Sequence, residues 1–277
     1  MDILLNELSL NGQFANIEEF EADLIKNMLP ILQGIRESSL CLMKKQNFYS
    51  YKVTPNDDLN TILTIRQRDS IRSLKGRLVN TLLKEPFWDG DQKHSNKDSY
   101  LYNDESINNT SLAEACERDK LTLSFDHKAF YDQFIKIKKN SEEITLNNIT
   151  DKNSLLSFLF ESKQIDIDNF IKNKFSGTNI NFSKLKKNFG FNIVEHSNEI
   201  QIFLNCFEKF SKMEWTNILR DKGFNYKEFQ NKKKFKEIPY KIDKFRITRK
   251  YRCFGYRKQD TFYAILFETD HKLSDKG

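Results

Sequence analysis

The sequence predicts an α/β protein of two domains: an amino-terminal three-layer α/β domain with a mostly parallel sheet over residues 1–168, and a smaller α+β domain with an antiparallel sheet over 169–277. Three observations predict it. Strand and helix patterns alternate through the first half, whereas the second half reads as a strand, two helices and a run of antiparallel strands. The charge changes sign, because residues 171–277 carry 24 Lys and Arg against 12 Asp and Glu, a balance of +12 that leaves −6 for the rest. That change falls in DIDNFIKNKFSGTNINF (166–182), where Ser176-Gly177 breaks the pattern. A chain of 277 residues that is 38% hydrophobic and includes 24 Phe can fill two cores, and its 9 Gly and 4 Pro leave little room for flexible linkers.

The opening DILLNELSL (2–10) is apolar, and the segment after it sets Ile17, Phe20, Leu24, Ile25, Met28, Leu32 and Ile35 at helical spacing, with Pro30 as a kink. CLMKKQNFYSYKV (41–53) is strand-like and 57–84 is helical. Residues 88–109, WDGDQKHSNKDSYLYNDESINN, are polar and rich in turn formers, which predicts an exposed, mobile loop able to serve as a lid. SLAEACERD (111–119) resumes a helix behind a Thr110 or Ser111 cap, with Glu114 at the capping-box position. LTLSF (121–125), FIKIKK and EITLNNI read as strands, and DKNSLLSFLFESKQ as a helix. In the second half FNIV (191–194) reads as a strand, EIQIFLNCFEKFSKMEWTNILRDKG and YKEFQNKKKFKE as helices, and TFYAILF (261–267) as a central strand, apolar on both faces.

Several function classes are excluded. The start of the chain has no basic or sustained apolar leader and no run reaches the length of a membrane span, so a cytoplasmic protein with no membrane partner is expected. Cys41, Cys116, Cys206 and Cys253 lie far apart without CxxC spacing, which predicts reduced thiols. His94, His127, His196 and His271 show no zinc-ligand spacing with them. No P-loop, GxGxxG or GxSxG occurs. Trp88 and Trp215 read as core residues, and Asp89, Asp91 and His94 as a solvated loop.

The stretch KFRITRKYRCFGYRK carries the densest charge, and residues 220–258 hold 15 basic and 4 acidic side chains. Read as one strand through 245–254, it sets Phe245, Ile247, Tyr251 and Cys253 on one face, interrupted by Arg249, and Arg246, Thr248, Lys250 and Arg252 on the other. Cations at fixed spacing suit the phosphates of a single nucleic-acid strand, and Tyr251, Phe254 and Tyr256 are candidate stacking faces. A solvated edge that blunts aggregation is the plainer account.

FRI, a short gap, YRCFGYR, an apolar strand and then a histidine resemble the carboxyl-terminal half of the RelE/ParE toxin superfamily over residues 190–277. The resemblance implies a toxin-type or phage-defence ribonuclease that cleaves RNA without metal or cofactor, by attack of the 2′-hydroxyl on the adjacent phosphorus, with an antitoxin-like protein partner. Arg246 and Arg252 match the strand arginines that would hold the phosphate; Lys250 adds a contact, and Tyr256 or His271 would move protons. The ParE branch lacks established ribonuclease activity, so a non-catalytic nucleic-acid-binding or assembly subunit of a defence complex stands beside the enzyme.

TSLAEACERDKLTLSFDHKAF (110–130) resembles the PIN-like nucleases, which implies a site for Mg²⁺ or Mn²⁺ with Glu114 as the helix acid, Asp126 after the strand and Asp2 or Glu7 from the first strand. Ala129-Phe130 replaces the usual Asp-Phe, and the first strand lacks the Asp-Thr/Ser-Asn signature. Glu114 as a capping residue and Asp126 as a turn former are competing accounts. A weakened scaffold that restrains or presents the basic domain is therefore the reading of the acidic half.

Overall fold

Apolar residues on both faces are what a central parallel strand requires, and Ile3, Leu4 and Leu5, all fully buried, supply them in the first strand, β1 (Asp2–Leu5). A computed structural model gives two compact units, 1–159 and 160–277, and describes residues 1–38, 40–64, 81, 84–194, 197–230 and 235–273.

In unit 1, β1 is followed by β2 (Cys41–Met43), β3 (Tyr100–Tyr102), β4 (Glu105–Ser106), β5 (Leu121–Leu123), β6 (Phe134–Lys139) and β7 (Glu142–Ile149). The sheet runs β2-β1-β5-β7-β6-β3-β4. The four strands β2, β1, β5 and β7 are parallel, as expected, and β6, β3 and β4 continue the sheet antiparallel. β6 shows why: Ile135 and Ile137 face inward while Phe134, Lys136 and Lys138 face solvent, the alternation of a strand covered on one side only.

Two helices, α1 (Ile17–Asp23) and α2 (Leu29–Glu37), join through a π-helical turn at Leu24–Met28. Asn16 caps α1 by accepting from Glu19 N at 2.9 Å. Pro30 sits in the first turn of α2, where its missing N–H costs least, and the wide turn ahead of it takes up the irregularity. The helix expected over 57–84 appears as α3 (Leu59–Thr64); residues 65–80 and 82–83 lie outside the described residues. CLMKKQNFYSYKV is a strand only as far as Met43, and Phe48–Ser50 form a 3-10 turn.

The predicted lid is not a free loop. Trp88, His94 and Tyr100 in 88–109 are buried, and β3 pairs with β6. Trp88 Nε1 donates to Ser111 Oγ at 2.9 Å, while Trp88 and Tyr100 join Ile107, Leu112, Ile137 and Leu146 in the core. Three aromatic rings decide the placement against many polar neighbours, because each buries far more apolar area than a turn former exposes.

Helix α4 (Ser111–Cys116) is capped by Thr110, and α5 (Lys152–Glu161) follows β7. In unit 2, α6 (Ile167–Lys174), capped by Asp166, leads through β8 (Ile180–Asn181) to α7 (Ser197–Lys212) and α8 (Trp215–Arg220). The strands β9 (Lys227–Glu228), β10 (Asp243–Arg246), β11 (Arg252–Lys258) and β12 (Thr261–Glu268) complete a sheet of order β8-β12-β11-β10-β9, antiparallel except where β8 meets β12. FNIV forms a 3-10 turn at Phe191–Ile193 instead of a strand. Of YKEFQNKKKFKE, expected as a helix, Lys227–Glu228 form β9, Phe229 and Phe235 pack on the sheet beside Phe254, and 231–234 lie outside the described residues.

Much of the phenylalanine is spent here. Phe203 lies 4.9 Å from Phe267, Phe207 5.6 Å from Phe267 and Phe210 4.7 Å from Phe245 between ring centroids, so α7 sits on β10 and β12 through aromatic edges and faces. Trp215 donates its Nε1–H to Asp260 O at 2.9 Å, and the Arg257 guanidinium carbon stands 3.9 Å from its ring centroid. A β-bulge at Phe254/Gly255 shifts the register against β12, and a Cβ on Gly255 would fall 2.2 Å from Tyr263 O.

Candidate nucleic-acid interface

Thr248 turns what reads as one strand into two. Its Oγ1 accepts from Lys250 N at 3.1 Å and Tyr251 N at 3.0 Å, while Ile247 N donates to Tyr251 O at 3.0 Å. A hydroxyl satisfying two backbone donors is a turn device that needs neither Gly nor Pro. The alternating face expected across 245–254 is therefore folded back on itself. Arg246 on β10 stands directly opposite Arg252 on β11, which in turn stands opposite Glu268 on β12. Directly opposed residues share a face, so the three side chains form one row across the sheet.

Two arginines face to face repel unless their charge is taken up. Arg252 Nη1 donates to three backbone carbonyls, Thr248 O at 2.7 Å, Tyr251 O at 3.0 Å and Arg249 O at 3.2 Å, which ties it to the turn it follows. Arg246 differs, because its Nε is buried and has no hydrogen-bond acceptor. Lys250 is not on this row: it sits exposed in the turn, with Nζ 2.9 Å from Tyr251 Oη and 3.9 Å from Glu199 Oε1 near the start of α7. The Tyr251 hydroxyl also donates to Glu199.

His271 is brought to the same turn. Its Nε2–H donates to Arg249 O at 2.9 Å, the carbonyl that also receives Arg252. His271 takes a positive φ of 60°. Of the neighbouring carboxylates, Asp270 pairs with Lys272 at 2.7 Å and Glu268 Oε1 accepts from Leu273 N at 2.5 Å.

The aromatic platforms are a correction. Tyr256 is sandwiched between Tyr240, 4.6 Å away at 8°, and Tyr263, 5.2 Å away at 14°, and burial raises its pKa. Tyr251 and Phe254 are buried too. Their ring faces are covered by the protein's own side chains, so no base stacks on them. The pattern of aromatic and basic residues that suggested stacking comes from core packing beneath a charged rim.

In unit 1 the acids converge, but on a cation that the chain itself provides. Arg118 Nε donates to Glu114 Oε1 at 2.6 Å, Nη1 to Asp2 Oδ2 at 2.9 Å and Nη2 to Asp91 O at 2.6 Å, with Asp91 Oδ2 at 3.7 Å. Glu114 is no capping-box residue. Fully buried, its carboxylate accepts from Lys93 N, His94 N and His94 Nδ1 at 2.6–3.0 Å. Burial alone would raise its pKa, but the bonds from His94, Arg118 and Lys93 outweigh it and hold the carboxyl below its usual range. Asp126 lies outside this cluster, exposed beside Tyr131. Glu7 is buried against Ser111 N at 2.9 Å, with burial raising its pKa. Among the described residues no three His, Cys, Asp or Glu side chains are grouped to hold a metal ion. The donors that would serve Mg²⁺ or Mn²⁺ do not fit such an ion here: Arg118 occupies the charge-compensating position between Asp2 and Glu114, and Asp126 is elsewhere. Sequence reasoning passed over Arg118, although its i, i+4 spacing from Glu114 was a visible signal.

Among the described residues no helix is long and apolar enough to cross a membrane. Compared with protein-family models, curated proteins and solved structures, the chain matches none.

Proposed function

We propose that the carboxyl-terminal unit binds single-stranded RNA, or a like sugar-phosphate polymer, through the β10–β11 hairpin. The observation that carries this is the pair Arg246 and Arg252, two guanidinium side chains held in register across β10 and β11. Like charges placed side by side repel, and a phosphate, whose oxygens a planar guanidinium fits, relieves that repulsion. The +12 balance of residues 171–277 supplies the long-range attraction. With the rings covered, recognition runs through phosphates, so little base preference is expected.

The test is fluorescence anisotropy of dye-labelled single-stranded RNA across a salt series. Arg246→Gln is expected to weaken binding about tenfold and to flatten the log–log salt slope by about 1. An unchanged affinity and slope would remove the hairpin from the interface.

Cleavage is the second reading, favoured by the Arg249 carbonyl that holds His271 and Arg252 together. In it Arg246 and Arg252 bear the developing phosphorane charge and His271 moves a proton. RNA incubated with the protein in EDTA is then shortened, and His271→Gln stops this while affinity is kept. RNA that stays intact leaves the binder. A toxin or phage-defence setting with an antitoxin partner rests on the resemblance to the RelE/ParE superfamily alone.

A further inference from the structure

Unit 1 contains a cavity of about 530 Å³ between α2, β2 and the Glu85-Pro86 segment. Its walls are largely apolar, from Leu29, Leu32, Ile35 and Leu42, and Ile25, also in the lining, is 52% exposed. One wall residue is out of keeping. Lys44 is 1% exposed, yet its Nζ makes only a long hydrogen bond to Pro86 O at 3.4 Å and lies 5.0 Å from the Phe87 ring centroid. No carboxylate among the described residues lies within ion-pair distance of it; Glu85, the acid in the lining, is exposed.

A buried ammonium without a counter-ion is among the costliest groups a fold can keep. Desolvation draws the pKa of Lys44 down to about 8, so at neutral pH the ammonium is still the major form. We propose that this cavity binds an apolar-tailed carboxylate, an acyl chain of medium length whose head group pairs with Lys44. A volume of this size lies in the range of small-molecule sites. Two cations line the cavity, Lys44, which is buried, and Arg36, which is exposed; one carboxylate neutralises the buried Lys44, whereas a phosphate dianion would bring a second charge into that apolar surrounding. The tail takes the hydrocarbon surface of α2 and β2.

Cys41 provides a local reporter, because it lines the cavity and is exposed while Cys116 and Cys253 are buried. Decanoate and 1-decanol, titrated into the full chain by calorimetry below their aggregation limits, separate charge from tail. Decanoate is expected to bind at least about tenfold more tightly than decanol, as one charge-assisted contact implies. It should also slow N-ethylmaleimide labelling of Cys41, and lose affinity as pH rises past about 8, where free Lys44 becomes neutral. Lys44→Met should erase the tenfold preference and leave decanol binding as it was. Without ligand this variant should melt no lower than the wild type, because it removes an unpaired buried cation. Equal binding of acid and alcohol, unaltered Cys41 labelling, or a Lys44→Met chain that keeps the preference or fails to fold would each overturn the assignment.

Discussion

Replacing Arg118 with Met is expected to destabilise unit 1 by about 3–5 kcal/mol, the range for removing one partner of a buried ion pair. The side chain is 8% exposed and Glu114 is fully buried, so the variant leaves a carboxylate in the interior with only His94 and two backbone N–H groups. Asp91→Asn is the internal control: its side chain is 67% exposed and 3.7 Å from Arg118, so a far smaller change is expected. Urea denaturation followed by circular dichroism measures both. Equal effects would mean that Arg118 does not carry the cluster. The same contacts set a pH dependence. Because the folded Glu114 titrates below its ordinary value of 4.5, its contribution is complete above that value and is lost as the pH falls through the lower, folded pKa. Glu114→Gln should flatten that acid limb.

Gly255→Ala is the second large effect, expected to cost unit 2 about 3 kcal/mol or more. The added carbon would stand 2.2 Å from Tyr263 O and 2.6 Å from the Phe262 ring, so backbone must move in the pair of strands, β11 and β12, that builds the centre of the sheet. Gly90→Ala, with nothing within 4 Å of its new carbon, should stay within about 0.5 kcal/mol. A soluble Gly255→Ala chain with an unshifted urea midpoint would show that the bulge yields easily.

Where the sequence was legible, one period held over a whole element. The alternation in FIKIKK, the helical spacing of Phe203, Phe207 and Phe210 and the doubly apolar TFYAILF each describe the element that forms. It failed where a turn keeps that period. Thr248 reverses the chain, yet Arg249 is the one interruption in the alternation from Phe245 to Cys253, so hairpin and strand look nearly alike in the string. The 88–109 segment misled for a different reason: its composition is polar, but its fate is set by Trp88, His94 and Tyr100. Glu114 shows a third limit. Its position fits a capping box, while its partners Lys93 and His94 come from a loop about twenty residues earlier, a contact no local spacing encodes. In the string Arg246 and Arg252 share one face of a single strand, separated by Thr248 and Lys250, whereas they stand directly opposite each other across two strands.

The chain has two tryptophans, and each unit holds one, Trp88 in the first and Trp215 in the second. Indole emission shifts to the red when water reaches the ring, so each acts as a built-in optical gauge of its own half. A chain with Trp88→Phe reports only on the basic half and one with Trp215→Phe only on the acidic half. Two spectrofluorimeter traces from single-indole chains would thus give separate melting profiles for the halves, with no need to cut the polypeptide or attach a dye.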